Sequence, residues 1–320
     1  MRYRQLGRTG TWVSPLCLGA MNFGGDLTDD DEAVATISAA LDRGINFIDT
    51  ANVYNRGGSE TVVGKALRGI RDDVIVATKV HGQMGDGPND RGSGRRHIRL
   101  QCEASLRRLQ TDRIDLYQLH RPDESTPIAE TLGALDDLVH AGKVMYVGVS
   151  TFPAWQTMEA IAGADARGLE SRPVSDQPLY HLLDRRVERE VVPLAARYGL
   201  AILPWSPLAS GILSGKYTDG AIPVGSRLHR FGVTREDERF APTLAKVQEL
   251  GKVAANAGIT LLQLALGWLM AQPEVTSPII GPRNREQLEA NLSALDIELD
   301  TDTMAAIDTV VPPGGAVLRL

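Results

Sequence analysis

Two cysteines in 320 residues, Cys17 and Cys102, supply neither a disulfide framework nor a zinc ligand set. Each lies in an apolar or amphipathic run, so both read as buried packing residues. The chain nowhere offers the ~18 uninterrupted apolar residues of a membrane span, and its start, Met1-Arg2-Tyr3-Arg4-Gln5, lacks the apolar stretch of a signal peptide. A soluble, cytoplasmic protein is expected, with no membrane partner. Lys+Arg of 34 against Asp+Glu of 40 gives a formal charge of -6, with no long run of like charge and no basic stripe interleaved with aromatics, which argues against nucleic acid. His97, His140, His181 and His229 lack metal-ligand spacing, so no metal is expected. No early strand is followed by G-x-G-x-x-G, and a Rossmann dinucleotide site is not signalled. Lysine is scarce, at 65, 79, 143, 216, 246 and 252 only, which weighs against reading Lys79 as surface decoration.

What is present is a repeat of strand and helix. An apolar fraction of 43% is enough for one large core, and a single domain over residues 1–320 is expected. Tyr3–Leu6 and Thr11–Val13 flank Gly7–Gly10 and read as a hairpin capping one end of the fold. Candidate strands follow at Leu16–Leu18, Asn46–Asp49, Val74–Lys79, Ile114–Leu119, Val144–Val149, Val174–Gln177, Ala201–Leu203 and Ser277–Ile280. Between or after them, Asp31–Arg43, Thr61–Leu67, Ile98–Leu109, Ile128–His140, Trp155–Ala162, Val187–Arg197, Leu244–Ala257 and Arg285–Leu295 carry apolar residues at three- and four-residue spacing. Further helices are expected at Leu261–Met270 and Asp302–Val310. Ser59 and Thr126 read as N-caps, and Gly44, Gly142 and Gly199 as helix-ending glycines. Eight β-then-α units imply an α/β fold, a (β/α)8 TIM barrel of parallel strands with an N-terminal β-hairpin cap. Two segments break the rhythm, Gly82–Arg96 and a long insertion after strand 7, Pro204–Phe240. Both follow strands and are expected to wall or cover a site.

Chemistry gathers at the strand ends. Asp49 closes one strand and Tyr54 follows it, Lys79 closes the next, and His120 follows the third, so a carboxylate, a phenol, an ammonium and an imidazole are expected in one pocket. An unperturbed phenol is a weak acid near neutrality, and a neighbouring ammonium favours its ionised form. Asp49 keeps that ammonium protonated. His120 hydrogen-bonds a reacting oxygen or relays a proton. Such a set suits protonation of a carbonyl oxygen while hydride arrives at carbon. Lys79 taken alone is equally suited to a Schiff base with a carbonyl substrate, as in an aldolase.

The chain resembles the aldo-keto reductases, in the branch that includes potassium-channel β subunits. The resemblance spans nearly the whole length and is carried by Leu18-Gly19-Ala20-Met21-Asn22-Phe23-Gly24, Asp49-Thr50-Ala51-Asn52-Val53-Tyr54, Gly148-Val149-Ser150 and Trp205-Ser206-Pro207-Leu208 continuing to Gly215-Lys216-Tyr217. It implies a catalytic tetrad of Asp49, Tyr54, Lys79 and His120 and an extended NADP(H) cofactor. Ser150 and Gln177 then hold the nicotinamide carboxamide and Trp205 stacks on its ring, with Met21 and Asp49 beside it. Ser206, Leu208, Lys216 and Arg227 wrap the pyrophosphate, while Gly281, Arg283, Gln287 and Asn291 take the adenosine 2′-phosphate and adenine. Arg283 favours NADPH over NADH, since a guanidinium pairs well with a phosphate dianion. Thr151 stands where many members have asparagine, and Ala290 replaces a glutamate common at the adenine. Channel subunits carry asparagine where this chain has His120, which favours an enzyme over a regulatory subunit. A small carbonyl substrate is implied, with Met21, Phe23 and Trp205 meeting its apolar portion.

Overall fold

The computed structural model describes residues 1–217, 222–224, 226, 229, 232 and 240–317. Two short antiparallel strands come first, β1 (Arg4–Gln5) and β2 (Trp12–Val13). The repeat then runs β3 (Cys17–Gly19), α1 (Asp30–Asp42), β4 (Phe47–Asp49), α2 (Gly58–Ala66), β5 (Ile75–Val80), α3 (Arg95–Leu109), β6 (Ile114–Leu119), α4 (Ile128–His140), β7 (Val144–Ser150), α5 (Ala154–Asp165), β8 (Pro173–Gln177), α6 (Val191–Tyr198) and β9 (Ala201–Ile202). It ends with α7 (Ala241–Asn256), α8 (Leu261–Ala271), β10 (Ile279–Ile280), α9 (Arg285–Leu292) and α10 (Thr301–Val310). Strands β3 to β9 pair in sequence order, all parallel, and β10 pairs with β3 in the same eight-stranded sheet. Single parallel bridges, Ile202 to Val275 and Trp205 to Ile279, join the two ends and close a (β/α)8 barrel. Ile279 N donates to Pro204 O at 2.8 Å across that seam.

Alternation along the strands sorts the apolar side chains. Leu18, Ile48, Val76, Tyr117 and Val147 pack with helix residues such as Ile37, Val62, Ile98 and Leu135, so they face outward. Cys17, Phe47, Ala77, Leu116, Ala201, Leu203 and Ile279 form a separate cluster within the barrel, which Leu6 and Val13 of the hairpin join. The hairpin sits at the strands' N-terminal ends, where Arg8 N donates to Gly199 O. That leaves the C-terminal end open for polar groups. Among the described residues no single helix is long and apolar enough to cross a membrane.

Several local expectations are corrected. Ser59 is not a cap: it lies in the first turn of α2, fully buried, and donates to Ala20 O at 2.7 Å, while Gly57 at φ 92° takes the N-cap place. Thr126 donates to Asp123 Oδ2 at 2.9 Å, and Pro127 is the N-cap of α4. The helix expected at Val187–Arg197 is broken into a 3-10 turn, Arg186–Arg189, and α6, with Glu190 at φ -139° between them. Pro193 is the cause, since its ring clashes with the carbonyl four residues back, at Arg189.

Candidate active site

Asp49, Lys79 and Gln118 share the inward parity of Phe47, Ala77 and Leu116, and they stand near the C-terminal ends of β4, β5 and β6. Lys79 lies opposite Gln118 in the ladder. Its ammonium is fully buried and donates to Asp49 Oδ1 at 2.5 Å, Thr50 O at 2.9 Å and Tyr54 Oη at 3.2 Å. An ammonium has three N–H donors, and all three are used. The phenol oxygen therefore accepts from Lys79 and keeps its own O–H to give away. Tyr54 opens a tight turn after β4 in which Asn55 and Arg56 take φ of 49° and 52°. Its ring meets that of His120 edge-on, with centroids 5.6 Å apart. Carboxylate, ammonium, phenol and imidazole thus meet in one place.

Burial pushes the Tyr54 phenol above its usual pKa, and the charge of Lys79 opposes that rise without cancelling it. The lysine acts in the expected direction, but the net shift is upward. Burial also works against the Lys79 ammonium, yet Asp49 and then Tyr54 hold its pKa above the ordinary lysine value, so it is a standing cation. His120 is pushed down to about 3 by burial and then by the Lys79 charge. Its ring is neutral near pH 7 and offers one N–H and one acceptor, which fits hydrogen bonding to a substrate oxygen better than relay through an imidazolium.

The second oxygen of Asp49 has partners that the sequence reading missed. Gln118 Nε2 donates to Oδ2 at 3.0 Å and Gln177 Nε2 donates to it at 2.9 Å. The available signal was an amide at an inward position of the strand Ile-Asp-Leu-Tyr-Gln-Leu. Because Gln177 Nε2 also reaches Gln118 Oε1 at 3.2 Å, the Gln177 side chain has only Oε1 left for a ligand. Ser150 Oγ donates to Gln177 O at 2.9 Å. Thr151 sits at φ 61°, a region that asparagine tolerates and a β-branched residue resists.

Among the described residues, every non-glycine residue with positive φ apart from Gln110, namely Asn55, Arg56, His81, Thr151, Ser206, Ala209 and Ser210, follows a strand at this C-terminal face. Strain gathered at one face marks a functional surface. Trp205 Nε1 and Asn22 Oδ1 are buried there with no hydrogen-bond partner among the described residues, while Asn22 Nδ2 donates to Gly281 O at 3.0 Å. Ser206 Oγ accepts from Ser210 N at 2.9 Å and Leu208 is half-buried beside it. Lys216 is exposed, with Nζ 5.3 Å from the Tyr217 ring centroid. Arg227 lies outside the described residues. At the start of α9, Asn284 caps the helix, Arg283 N donates to Gln287 Oε1 at 3.1 Å, and Asn291 is buried one turn on. Met21 is exposed at the mouth, but Phe23 is fully buried in the helix-side core and faces no substrate, contrary to expectation. Orphaned polar atoms, an indole and a helix N-terminus beside an arginine offer hydrogen-bond, stacking and anion partners to a ligand at this face.

Comparison with known proteins adds a family to this geometry. The sequence profile of the Aldo/keto reductase family matches residues 15–312. An oxidoreductase of Bacillus subtilis (strain 168), YrpG, is 41% identical over 98% of each chain. A probable voltage-gated potassium channel subunit beta of Oryza sativa subsp. japonica is 41% identical over 93% of this chain and 92% of its own. The aldo-keto reductase YhdN of Bacillus subtilis (strain 168) is 36% identical over 97% of this chain and 94% of its own.

Proposed function

The chain belongs to the aldo/keto reductase family, and from that premise we propose that it is an NADPH-dependent reductase of small aldehydes or ketones. The observation that carries this reading is the Tyr54 hydroxyl, which accepts from a buried, fully engaged Lys79 and has its own proton to donate. When bound, a nicotinamide cofactor supplies the hydride. Ser150, Gln177 and Trp205 would hold its amide end, with Met21 and Asp49 near by. Ser206, Leu208 and Lys216 would line the pyrophosphate, and Gly281, Arg283, Gln287 and Asn291 the adenosine 2′-phosphate end; Arg227, expected with them from the sequence, lies outside the described residues. His120, neutral, orients the carbonyl through its N–H. Tyr54 gives the carbonyl oxygen its proton, and the Lys79 charge stabilises the phenolate left behind. Asp49 keeps Lys79 charged. In the reverse direction Tyr54 is the base that takes the alcohol proton.

Lys79 is a poor Schiff-base nucleophile, because it is protonated and all three of its N–H groups are engaged. A second reading, a cofactor-binding regulatory subunit, has support in relatives whose names are those of potassium channel β subunits. One experiment separates the two. Absorbance-monitored NADPH oxidation across a carbonyl panel is expected to show turnover that falls ~10²–10⁴-fold in Tyr54→Phe, with NADPH affinity retained in tryptophan fluorescence. Equal turnover in the variant overturns the proton-donor role, and tight NADPH binding without consumption of any carbonyl favours the regulatory reading.

A further inference from the structure

The Asp49 carboxylate is held at both oxygens, and one of its holders has no role in the scheme above. Gln118 is fully buried on the inner face of β6. Its Nε2 donates to Asp49 Oδ2 at 3.0 Å while its Oε1 accepts from Gln177 Nε2 at 3.2 Å, so both ends of the amide are committed. The flipped amide would set an oxygen lone pair against the carboxylate, so one orientation alone fits. On the far side of the same carboxylate, Oδ1 takes the Lys79 proton at 2.5 Å.

We propose that Gln118 is a positioning residue for proton transfer at Tyr54: its N–H on Asp49 Oδ2 steadies the carboxylate as an anion and leaves the Lys79 proton on nitrogen, so that the full ammonium charge faces the phenol. This rests on the reading of Tyr54 as proton donor. The charged and titratable groups that face the phenol are Asp49 from β4, Lys79 from β5, and His120 and Arg121 from the end of β6. Gln118→Met alters none of them. It keeps the length of the side chain and removes its donor and acceptor. The carboxylate, short of one N–H, then draws the lysine proton toward Oδ1, and the phenol ionises at higher pH. Gln118→Glu sets a second acid beside Asp49 and acts further in the same direction.

Alcohol oxidation is the direction that reports this, since turnover rises with pH as the phenol becomes a base. With saturating NADP⁺, the midpoint of that rise is expected to move up by about half to one pH unit in Gln118→Met and by more in Gln118→Glu. A readout free of turnover is the ultraviolet difference absorbance of tyrosinate, taken on each cofactor-free protein against its own Tyr54→Phe counterpart, with the same order expected. Each midpoint is read over the pH range in which circular dichroism shows the variant folded, so that a fall in stability is not mistaken for a shift of the phenol. If Gln118 merely fills space, Gln118→Met lowers Tm and kcat at unmoved midpoints, which overturns the proposal and leaves the reductase reading standing. A rise with pH that survives Tyr54→Phe overturns the reading of Tyr54 as the proton donor, and this inference with it.

Discussion

At the scale of single residues, the buried Asp49–Lys79 pair ties stability to the proposed chemistry. It is buried on both sides, and its worth lies in mutual compensation rather than in net attraction. Lys79→Met leaves the carboxylate with amide partners only. A loss of about 3–5 kcal/mol in urea unfolding is expected, the usual penalty for stranding a buried charge. Lys79→Met combined with Asp49→Leu is expected to recover much of that stability while turnover stays lost; a double variant as unstable as the single one would show that packing, not charge, sets the cost. Asp49, Tyr54, Lys79 and His120 were legible in the sequence because each stands at or just after a strand end, where local order alone says which way a residue faces. Gln118 was not, because an inward amide in an apolar strand looks the same whether or not a carboxylate waits across the barrel. Phe23 misled for the converse reason, since a loop aromatic beside an exposed Met21 gives no sign of which one turns into the core.

At the scale of elements, β8 shows how one strand serves two environments. Ser175 and Gln177 point into the barrel and Asp176 points out against α5, where Thr157 Oγ1 donates to its Oδ2 at 3.2 Å and Oδ1 has no partner. Burial pushes the Asp176 carboxyl up to about 7. The folded state therefore holds this proton more tightly than the unfolded chain does, so the stability it contributes is full below pH 3.8 and is lost as pH rises through about 7. Asp176→Asn removes that loss. Between pH 5 and pH 8 the variant is expected to gain roughly 2–3 kcal/mol relative to the wild type in chemical denaturation, and a constant difference across that range would refute the assignment. The strand periods and helix faces were readable beforehand, and α4 begins and ends where its apolar spacing places it. The caps were less readable. Ser59 has the chemistry of a cap but is claimed by Ala20 O and Thr50 from another unit of the barrel, a competition that no local window contains.

At the scale of the whole molecule, the barrel separates support from chemistry. Leu6 and Val13 plug the N-terminal mouth, and the cluster of Asp49, Lys79 and Tyr54 stands at the other end. Leu6→Ala is expected to cost about 2–4 kcal/mol, as a buried leucine truncation does, with kcat unchanged at a temperature where the variant is folded. A parallel fall in kcat would mean that the plug shapes the site. By itself the sequence determined the order of strands and helices, the count of units and the candidate reacting groups, because hydrophobic period and strand-end position are properties of short windows. Only the tertiary structure decided that Asp49 gathers Lys79, Gln118 and Gln177 from 30, 69 and 128 residues away. It also decided that burial outweighs the lysine at the Tyr54 phenol. The physical reason is that hydrogen bonding and desolvation act through space, and a closed barrel makes neighbours of strand ends that the chain keeps far apart.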